Sequence, residues 1–401
     1  MKRLLLLGGS SQQITAIKKA KKLGYHTILC DFLEDNPGQL EADKFYLVST
    51  TDKDAILEVA KREQIDGIVA YSSDPAAPTA AYVAEKLGLP GVPYKVAEAF
   101  CNKNLFREFL KRNGFNVPGS VEIDVDSDPS VVEGLSFPII IKPTDSSGSK
   151  GVTVIDDISG FIKARDFAYE FSRNGILIAE EYIIRDHEDV IETEIFILNG
   201  AVVSWGIMSS VRDKYTNPLI PAAYSYPVTI ADNLFNIVKA EVSRLVEATK
   251  VQNGAFNIEM VITKENELYF LDAGPRNGGN MLPEYIGMIS NSDLVEATLK
   301  AAMGEVDKIQ GIELDGLSGG YYGLYVIHSN KEGVLSSIEY KGGTSNYLQR
   351  QHLFKPIGSD VKPFENSRDA IGLAFFRFPD KDTRDDILRD FSGKYIELGI
   401  E

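Results

Sequence analysis

FNIEMVITKENELYFLDAGPRNGG, residues 256–279, decides how this chain is read. Two apolar runs flank the polar KENE, so the stretch predicts an antiparallel hairpin. Whether the turn is Glu265–Asn266 alone or the four residues Lys264–Glu267, Glu259 falls directly across from Asp272. Facing Cβ atoms in such a pair lie about 4.5–5.5 Å apart, and two carboxylates at about 4 Å repel by about 4 kcal/mol at an effective dielectric near 20. Either one acid turns to solvent or a divalent cation removes the cost. Oxygen ligands without His or Cys favour magnesium or manganese. Four residues past Asp272, on a glycine-rich segment, Arg276 is a cation suited to a carboxylate or a phosphoryl group.

Upstream, IIIKPTDSSGSKGV at residues 139–152 runs from a strand through small residues to a second strand, a hairpin-like flap whose backbone can approach an anion closely. It lacks the G-K-[ST] ending and following helix of a Walker A loop. Alone, it reads equally well as a flexible surface turn. In IAEEYIIRDHEDV, residues 178–190, a strand delivers Glu180 and Glu181 into a linker, an arrangement able to read an adenine edge or, more plainly, a charged strand end. The helix NKNLFREFLKRNG, residues 102–114, carries an apolar stripe of Leu105, Phe106, Phe109 and Leu110, with Lys103 and Arg107 on one face as either ligands or a solvated edge.

The first hundred residues alternate strands and helices with short links, which predicts a parallel, doubly wound sheet. Gly8, Gly9 and Asp31 approach a dinucleotide fingerprint, but GGSSQQ is not G-x-G-x-x-G, so turning the chain or meeting a small substrate is favoured over holding NAD. From Val117 to Ile197 the text is strand-rich, with one helix, FIKARDFAYEFSRNG, closed by Gly175. Helices follow at 232–249 and near 293–302. The last ninety residues read as a small α+β unit ending in a helix capped by Asp382 or Thr383.

A length of 401 residues calls for two or three domains. With 58 Asp and Glu against 42 Lys and Arg, the charge of −16 argues against nucleic acid or an anionic membrane as the main partner. A small anion is not excluded, because screening beyond roughly 8 Å leaves a site to its nearest groups. Two cysteines and four histidines give no disulfide framework or zinc motif. The MKRLLLL start is too short for a secretory signal, and no apolar run spans a bilayer, which together predict a cytoplasmic protein.

Taken in order, the helix at 102–114, IIIKPTDSSGSKGV, AEEYI and the E…LDAGPR hairpin, preceded by an α/β unit, resemble the ATP-grasp superfamily, over Met1 to about Ala302. The resemblance implies a pre-ATP-grasp α/β domain at 1–98, an ATP-grasp domain at 99–305 with a mobile lid near 117–185, and a small α+β domain at 306–401. It further implies an ADP-forming carboxylate–amine ligase, related to L-amino-acid ligases and carbamoyl-phosphate-synthase-like enzymes, that activates a carboxylate as an acyl phosphate and joins it to an amine. Lys103 and Lys142 would contact nucleotide phosphates, and the loop of Asp145, Ser146, Ser147, Gly148, Ser149, Lys150 and Gly151 would close over them. Glu180 with the backbone of Glu181, Tyr182 and Ile183 would hold adenine. Glu188, or Glu192 given an apparent insertion, would take the ribose. Glu259 and Asp272 would bind Mg2+ or Mn2+, and Arg276 would steady the acyl phosphate. The family often has Asn two residues after the second metal acid; Gly274 stands here, leaving one metal ion or two, and a role for Asn277, open.

The resemblance implies small-molecule partners, a carboxylate and an amine, with amino-acid ligation one form of the reaction, and leaves the oligomeric state open, a homodimer included. Arg212, Tyr215, Tyr224, Asn280 and His328 are candidate specificity residues. The competing readings are a purine-pathway-type carboxylase or ligase, an NAD-dependent oxidoreductase and a non-enzymatic nucleotide sensor.

Overall fold

The computed structural model describes residues 1–401. Four parallel strands, β1 (Arg3–Leu7), β2 (His26–Asp31), β3 (Lys44–Leu47) and β4 (Gly67–Val69), form the first sheet in the order β3-β2-β1-β4. Helix α1 (Ile14–Lys22) joins β1 to β2 and α2 (Lys53–Glu63) joins β3 to β4, crossovers of the kind that parallel pairing demands, and α3 (Ala77–Leu87) follows β4. Two further helices, α4 (Tyr94–Phe100) and α5 (Lys103–Arg112), lead out of this unit. Asn102 caps α5 by accepting the Leu105 N–H at 3.1 Å.

The second sheet is small and antiparallel: β5 (Ser120–Ile123), β6 (Ile139–Pro143), β7 (Thr153–Ile155) and β8 (Leu177–Glu181), in the order β5-β8-β6-β7, covered by α6 (Phe161–Tyr169). The helix stops well short of Gly175. Ser172 and Asn174 turn their side chains onto the Ile176 backbone at 3.2 and 2.9 Å, offering it partners outside a helix.

The third sheet is the platform. It comprises β9 (Val190–Leu198), β10 (Ala201–Arg212), β11 (Pro221–Tyr226), β12 (Gly254–Ile262) and β13 (Leu268–Gly274), but it does not end there. After α7 (Asp232–Thr249), α8 (Leu282–Ser290) and α9 (Leu294–Ala302), the C-terminal strands β14 (Tyr321–Ile327), β16 (Leu348–Leu353) and β18 (Gly372–Phe378) extend it to eight strands, β13-β12-β9-β10-β11-β14-β18-β16. The boundary expected at 305/306 therefore runs through one continuous sheet, because β11 pairs directly with β14. A three-stranded sheet of β15 (Gly333–Tyr340), β17 (Asp360–Val361) and β19 (Ile396–Ile400), with helix α10 (Lys381–Arg389), completes the chain. Asp380, not Asp382 or Thr383, caps α10 by accepting the Thr383 N–H at 2.8 Å.

Side chains alternate across the platform with the period of two that a strand imposes. Ile195 and Ile197 pack into a core with Phe106, Val238 and Leu245, whereas Phe196 faces a second core with Tyr285, Ile286 and Leu294. Glu192 and Glu194 share the face of Phe196. No helix is long and apolar enough to cross a membrane.

Candidate active site

The hairpin β12–β13 sets Glu259 opposite Asp272, and the neighbouring ladder sets Glu259 opposite Glu192 on β9. Three acids thus lie in one row across three strands. The turn is neither of the two anticipated: Thr263 bonds Glu267 around a three-residue loop in which Asn266 has φ +60°. That register alone would miss Asp272 by one. A bulge at Leu271 restores the pairing, and Arg107 donates to the Phe270 and Leu271 carbonyls beside it at 3.2 and 2.9 Å.

Burial, and then the Glu259 charge, push the Glu192 carboxyl up to about 7. Burial pushes Glu194 up to about 8, against opposing donors at the Gly278 N–H (2.8 Å) and Asn277 Nδ2 (3.1 Å). Arg212 on β10 neutralises part of the row through Glu259 Oε2 at 2.9 Å. No three acidic, His or Cys side chains converge into a ready cation cage. The donor set nevertheless fits a hard cation: every ligand is a carboxylate oxygen, and buried Glu192 Oε2 has no partner.

The glycine-rich loop joins β6 to β7, which pair as a hairpin. Gly148, Ser149 and Gly151 adopt φ of +68°, +58° and +71°, and a Cβ added to Gly148 would stand 2.5 Å from Ser367 Oγ, so side chains are excluded where the loop meets the C-terminal region. Lys103 ties α5 to the loop by donating to the Ser146 carbonyl at 2.7 Å. Ser147 lies half-buried next to it, and Arg173 forms an ion pair with Asp145. Lys150 is drawn below the usual lysine range by burial and then by nearby Arg368 and Arg173. At its far side, Ser149 Oγ donates to the Leu219 carbonyl at 2.9 Å, and Arg212 donates to that same oxygen at 3.4 Å. One carbonyl oxygen therefore links the loop to the acidic row.

Lys142 is buried at the end of β6, in an ion pair with Glu180 at 2.6 Å. Arg107 grips the same carboxylate with Nε at 2.6 Å and Nη2 at 3.2 Å. Burial alone would raise Glu180, but the two cations outweigh it and hold its carboxyl at about 2. Both Glu180 oxygens thus face protein cations. This pairing removes Arg107 from any solvated edge. The Glu181 side chain points elsewhere, accepting the Ser136 and Gly119 N–H groups at 2.9 and 3.3 Å. The Tyr182 N–H is used by the Pro138 carbonyl, and Ile183 begins the linker. Glu188 is exposed on that linker in an ion pair with Arg389 of α10 at 2.9 Å, whereas Glu192 is buried in the acidic row.

Arg276 faces the N-terminal unit. Its Nε and Nη2 donate to Asp74 Oδ1 and Oδ2, both at 2.6 Å. This pair accounts for Gly274: a Cβ there would lie 2.5 Å from Asp74 Oδ1 and 2.7 Å from Arg276 Cζ. Asn277, considered as a substitute metal ligand, instead donates to Glu194 and is 1% exposed. The segment after it is held from both sides, with Ser72 Oγ on the Gly278 carbonyl (2.7 Å), Gln12 Oε1 on the Asn280 N–H (2.7 Å) and Asn280 Nδ2 on Tyr224 (3.0 Å). The two remaining specificity candidates lie away from this row: His328 pairs with buried Asp213 at 3.3 Å, and Tyr215 donates to Asp390 at 2.7 Å.

Glu194 and Asp74 are not among the candidate site residues of the sequence reading, which leaves Arg107 between ligand and solvated edge. Asp74 had a usable signal, because it follows a parallel strand at its carboxyl end, where such sheets bind ligands. The dinucleotide alternative loses its geometry. Asp31 accepts the Gly9 and Leu33 N–H groups at 2.7 and 2.9 Å, and the Gln13 and Asn36 side chains fill the space beside Gly8 and Gly9.

Residues 102–308 match the family model described as the carbamoyl-phosphate synthase L chain ATP-binding domain, and residues 17–91 match an ATP-grasp N-terminal domain. The carbamoyl phosphate synthase large chain of Thermotoga petrophila is 24% identical over 266 residues, 63% of this chain and 23% of that protein. The chain thus spans about a quarter of that relative's length. A formate-dependent phosphoribosylglycinamide formyltransferase of Bacteroides thetaiotaomicron is 25% identical over 76% of this chain and 78% of its own. The crystal structure of an L-amino acid ligase from Bacillus licheniformis superposes with a TM-score of 0.80 at 20% identity, covering 100% of this chain and 99% of that one.

Proposed function

Because the chain belongs to the carbamoyl-phosphate synthase L chain ATP-binding domain family, with an ATP-grasp N-terminal domain before it, we propose that it is an ATP-dependent, ADP-forming carboxylate–amine ligase. The observation that carries the reading is the Leu219 carbonyl, which receives both Ser149 of the anion-binding loop and Arg212 of the acidic row. A triphosphate under the loop would then lie within reach of the carboxylates.

In this reading Lys103, Lys142 and the backbone from Ser146 to Gly151 take the phosphates. Glu180 positions Lys142 and Arg107, and the linker at Tyr182 and Ile183 receives the base, with the ribose at Glu188 or Glu192. Glu259 and Asp272 would hold magnesium or manganese, whose contribution is to neutralise phosphate charge. Arg276 exchanges part of its Asp74 contact for the activated carboxylate. Such chemistry depends on positioning and preorganised charge rather than a covalent nucleophile. The small sheet with its loop, near 117–185, acts as a lid between the unit at 1–98 and the platform, and its closure excludes water from the acyl phosphate.

A phosphorylated substrate, as in the purine-type alternative, is favoured by one observation: Lys150, Arg173 and Arg368 lie close enough for their charges to oppose one another beside the loop. An anionic group between them would relieve that repulsion.

The test is ADP release against pooled carboxylic acids, amino acids and amines, with phosphorylated amines as a separate pool, using Lys142→Ala and Glu259→Gln as controls. Wild-type ADP above both controls supports a ligase, and the productive pool separates the two substrate classes. Nucleotide binding without ADP from any pool would favour the sensor.

A further inference from the structure

The linker between the small sheet and the platform, residues 182–189, is fastened where the platform runs out of strand partners. Strand β9 pairs with β12 as far as Met260, so buried Ile262, two residues on, turns its amide and carbonyl toward the linker. Buried backbone groups need partners. The linker supplies both: the Asp186 N–H donates to the Ile262 carbonyl at 2.9 Å, and the Ile262 N–H donates to His187 Nε2 at 3.0 Å. An imidazole thus completes a pairing that backbone begins.

Those partners fix the protonation of the ring. A backbone N–H can only donate, so Nε2 carries a lone pair; the Asp189 carbonyl, 2.5 Å from Nδ1, can only accept, so Nδ1 carries the hydrogen. A second proton, on Nε2, would set N–H against N–H and break the fastening. Burial holds the ring below the ordinary value of 6.5, with help from Arg185 and against the Asp189 carbonyl and Asp186. From the elements around it, β12 presents Ile262, and the turn beyond carries Lys264 and Glu265 in a pair with each other at 3.7 Å. Helix α10 reaches the linker through Arg389 on Glu188, and through Asp385 near Asp189, whose own carboxyl is raised by burial.

We propose that His187 is a positioning residue for the nucleotide: its neutral ring fastens the base-receiving linker to the end of β12, the strand bearing Glu259, and protonation unfastens it. This role rests on the nucleotide site proposed above. The state of the ring does not, so the two are measured separately.

With four histidines in the full chain, ring-15N labelling resolves each imidazole, and His187→Gln identifies the His187 signals. The expected form at pH 7.5 is neutral with the hydrogen on Nδ1. A charged ring, a hydrogen on Nε2, or a ring that stays neutral until the protein unfolds in acid overturns the fastening, whether or not nucleotide binds. MgADP binding is then followed by calorimetry at pH 7.5 and at one unit below the ring's measured midpoint. His187→Gln keeps an acceptor that does not titrate. It should bind like wild type at pH 7.5 and about fivefold more tightly than wild type at the lower pH; Asp189 and the nucleotide are common to both proteins, so their titrations cancel. His187→Leu, without an acceptor, should bind about fivefold more weakly than wild type at pH 7.5 and match it at the lower pH. Equal affinities in all three proteins at both pH values overturn the positioning role, and a His187→Gln as weak as His187→Leu at pH 7.5 overturns the acceptor. If wild type shows the expected ring but binds no MgADP, the nucleotide site fails and the positioning role with it, while the fastening stands. If His187→Leu does not fold, His187→Gln against wild type at the lower pH decides.

Discussion

The small sheet and the platform handle charge in opposite ways. The small sheet rests on a core of ten residues and buries a single charge cluster, Glu180 held by Arg107 and Lys142. The platform is sandwiched between two cores of 24 residues each, and it holds Glu192 and Glu194 as buried acids short of opposite charge. A cation pair thus locks the first region, while the second buries carboxyls at a desolvation cost that a bound cation would offset.

The contrast is tested hardest at Glu180. Arg107→Ala leaves a buried carboxylate with one cation and strips the bulge at Leu271 of its donor. We expect a loss of about 3–5 kcal/mol in urea unfolding, with little ADP formation left. If stability instead changes by less than about 1 kcal/mol, the cluster is not the lock described. Glu259→Gln should separate function from folding: ADP formation falls at least about 100-fold, while Tm is nearly unchanged because repulsion with Glu192 is relieved as the Arg212 pair is lost. Gly274→Asn forces a side chain against both Asp74 and Arg276, and a cost of about 1–3 kcal/mol in urea unfolding is expected.

The two regions also titrate in opposite senses. Glu180 has a depressed carboxyl, so its contribution is present above pH about 4.5 and lost as pH falls toward 2. Glu192 and Glu194 have raised carboxyls, so the folded state binds more protons and stability declines as pH rises from about 4.5 through about 7 to 8. Magnesium should therefore raise Tm more at pH 8 than at pH 5.5, as differential scanning fluorimetry would register. An equal shift at both would remove the acidic row as its site. The smallest effect is at the surface: Glu188→Ala breaks an exposed pair and should alter stability by under about 0.5 kcal/mol. A rise in KM for ATP in that variant would assign the ribose to Glu188 rather than Glu192.

Local pattern carried much of this architecture. The hairpin at 256–274 was legible because alternation fixes which side chains share a face, although the facing of Glu259 and Asp272 arises from two unforeseen departures: a three-residue turn and a bulge that offsets it. The flap around Gly148 was legible because small residues between apolar runs leave few alternatives. What escaped was tertiary. Nothing near Arg107 announces a partner 73 positions away, and Asp74 meets Arg276 across 202. The role of Gly274 could not be read without that pair, since an absent side chain acquires meaning only from what fills its place. The C-terminal strands were identified, but strand pattern alone does not say which sheet they join.

That last junction bears on how the protein can be cut. A polypeptide stopped after Ala302 would keep every proposed ATP contact yet leave the rim of β11, normally joined to β14, bare. Exposed strand rims recruit other chains, so such a fragment should clump rather than work. The tail is thus a selvedge, finishing the weave on which the chemistry is laid.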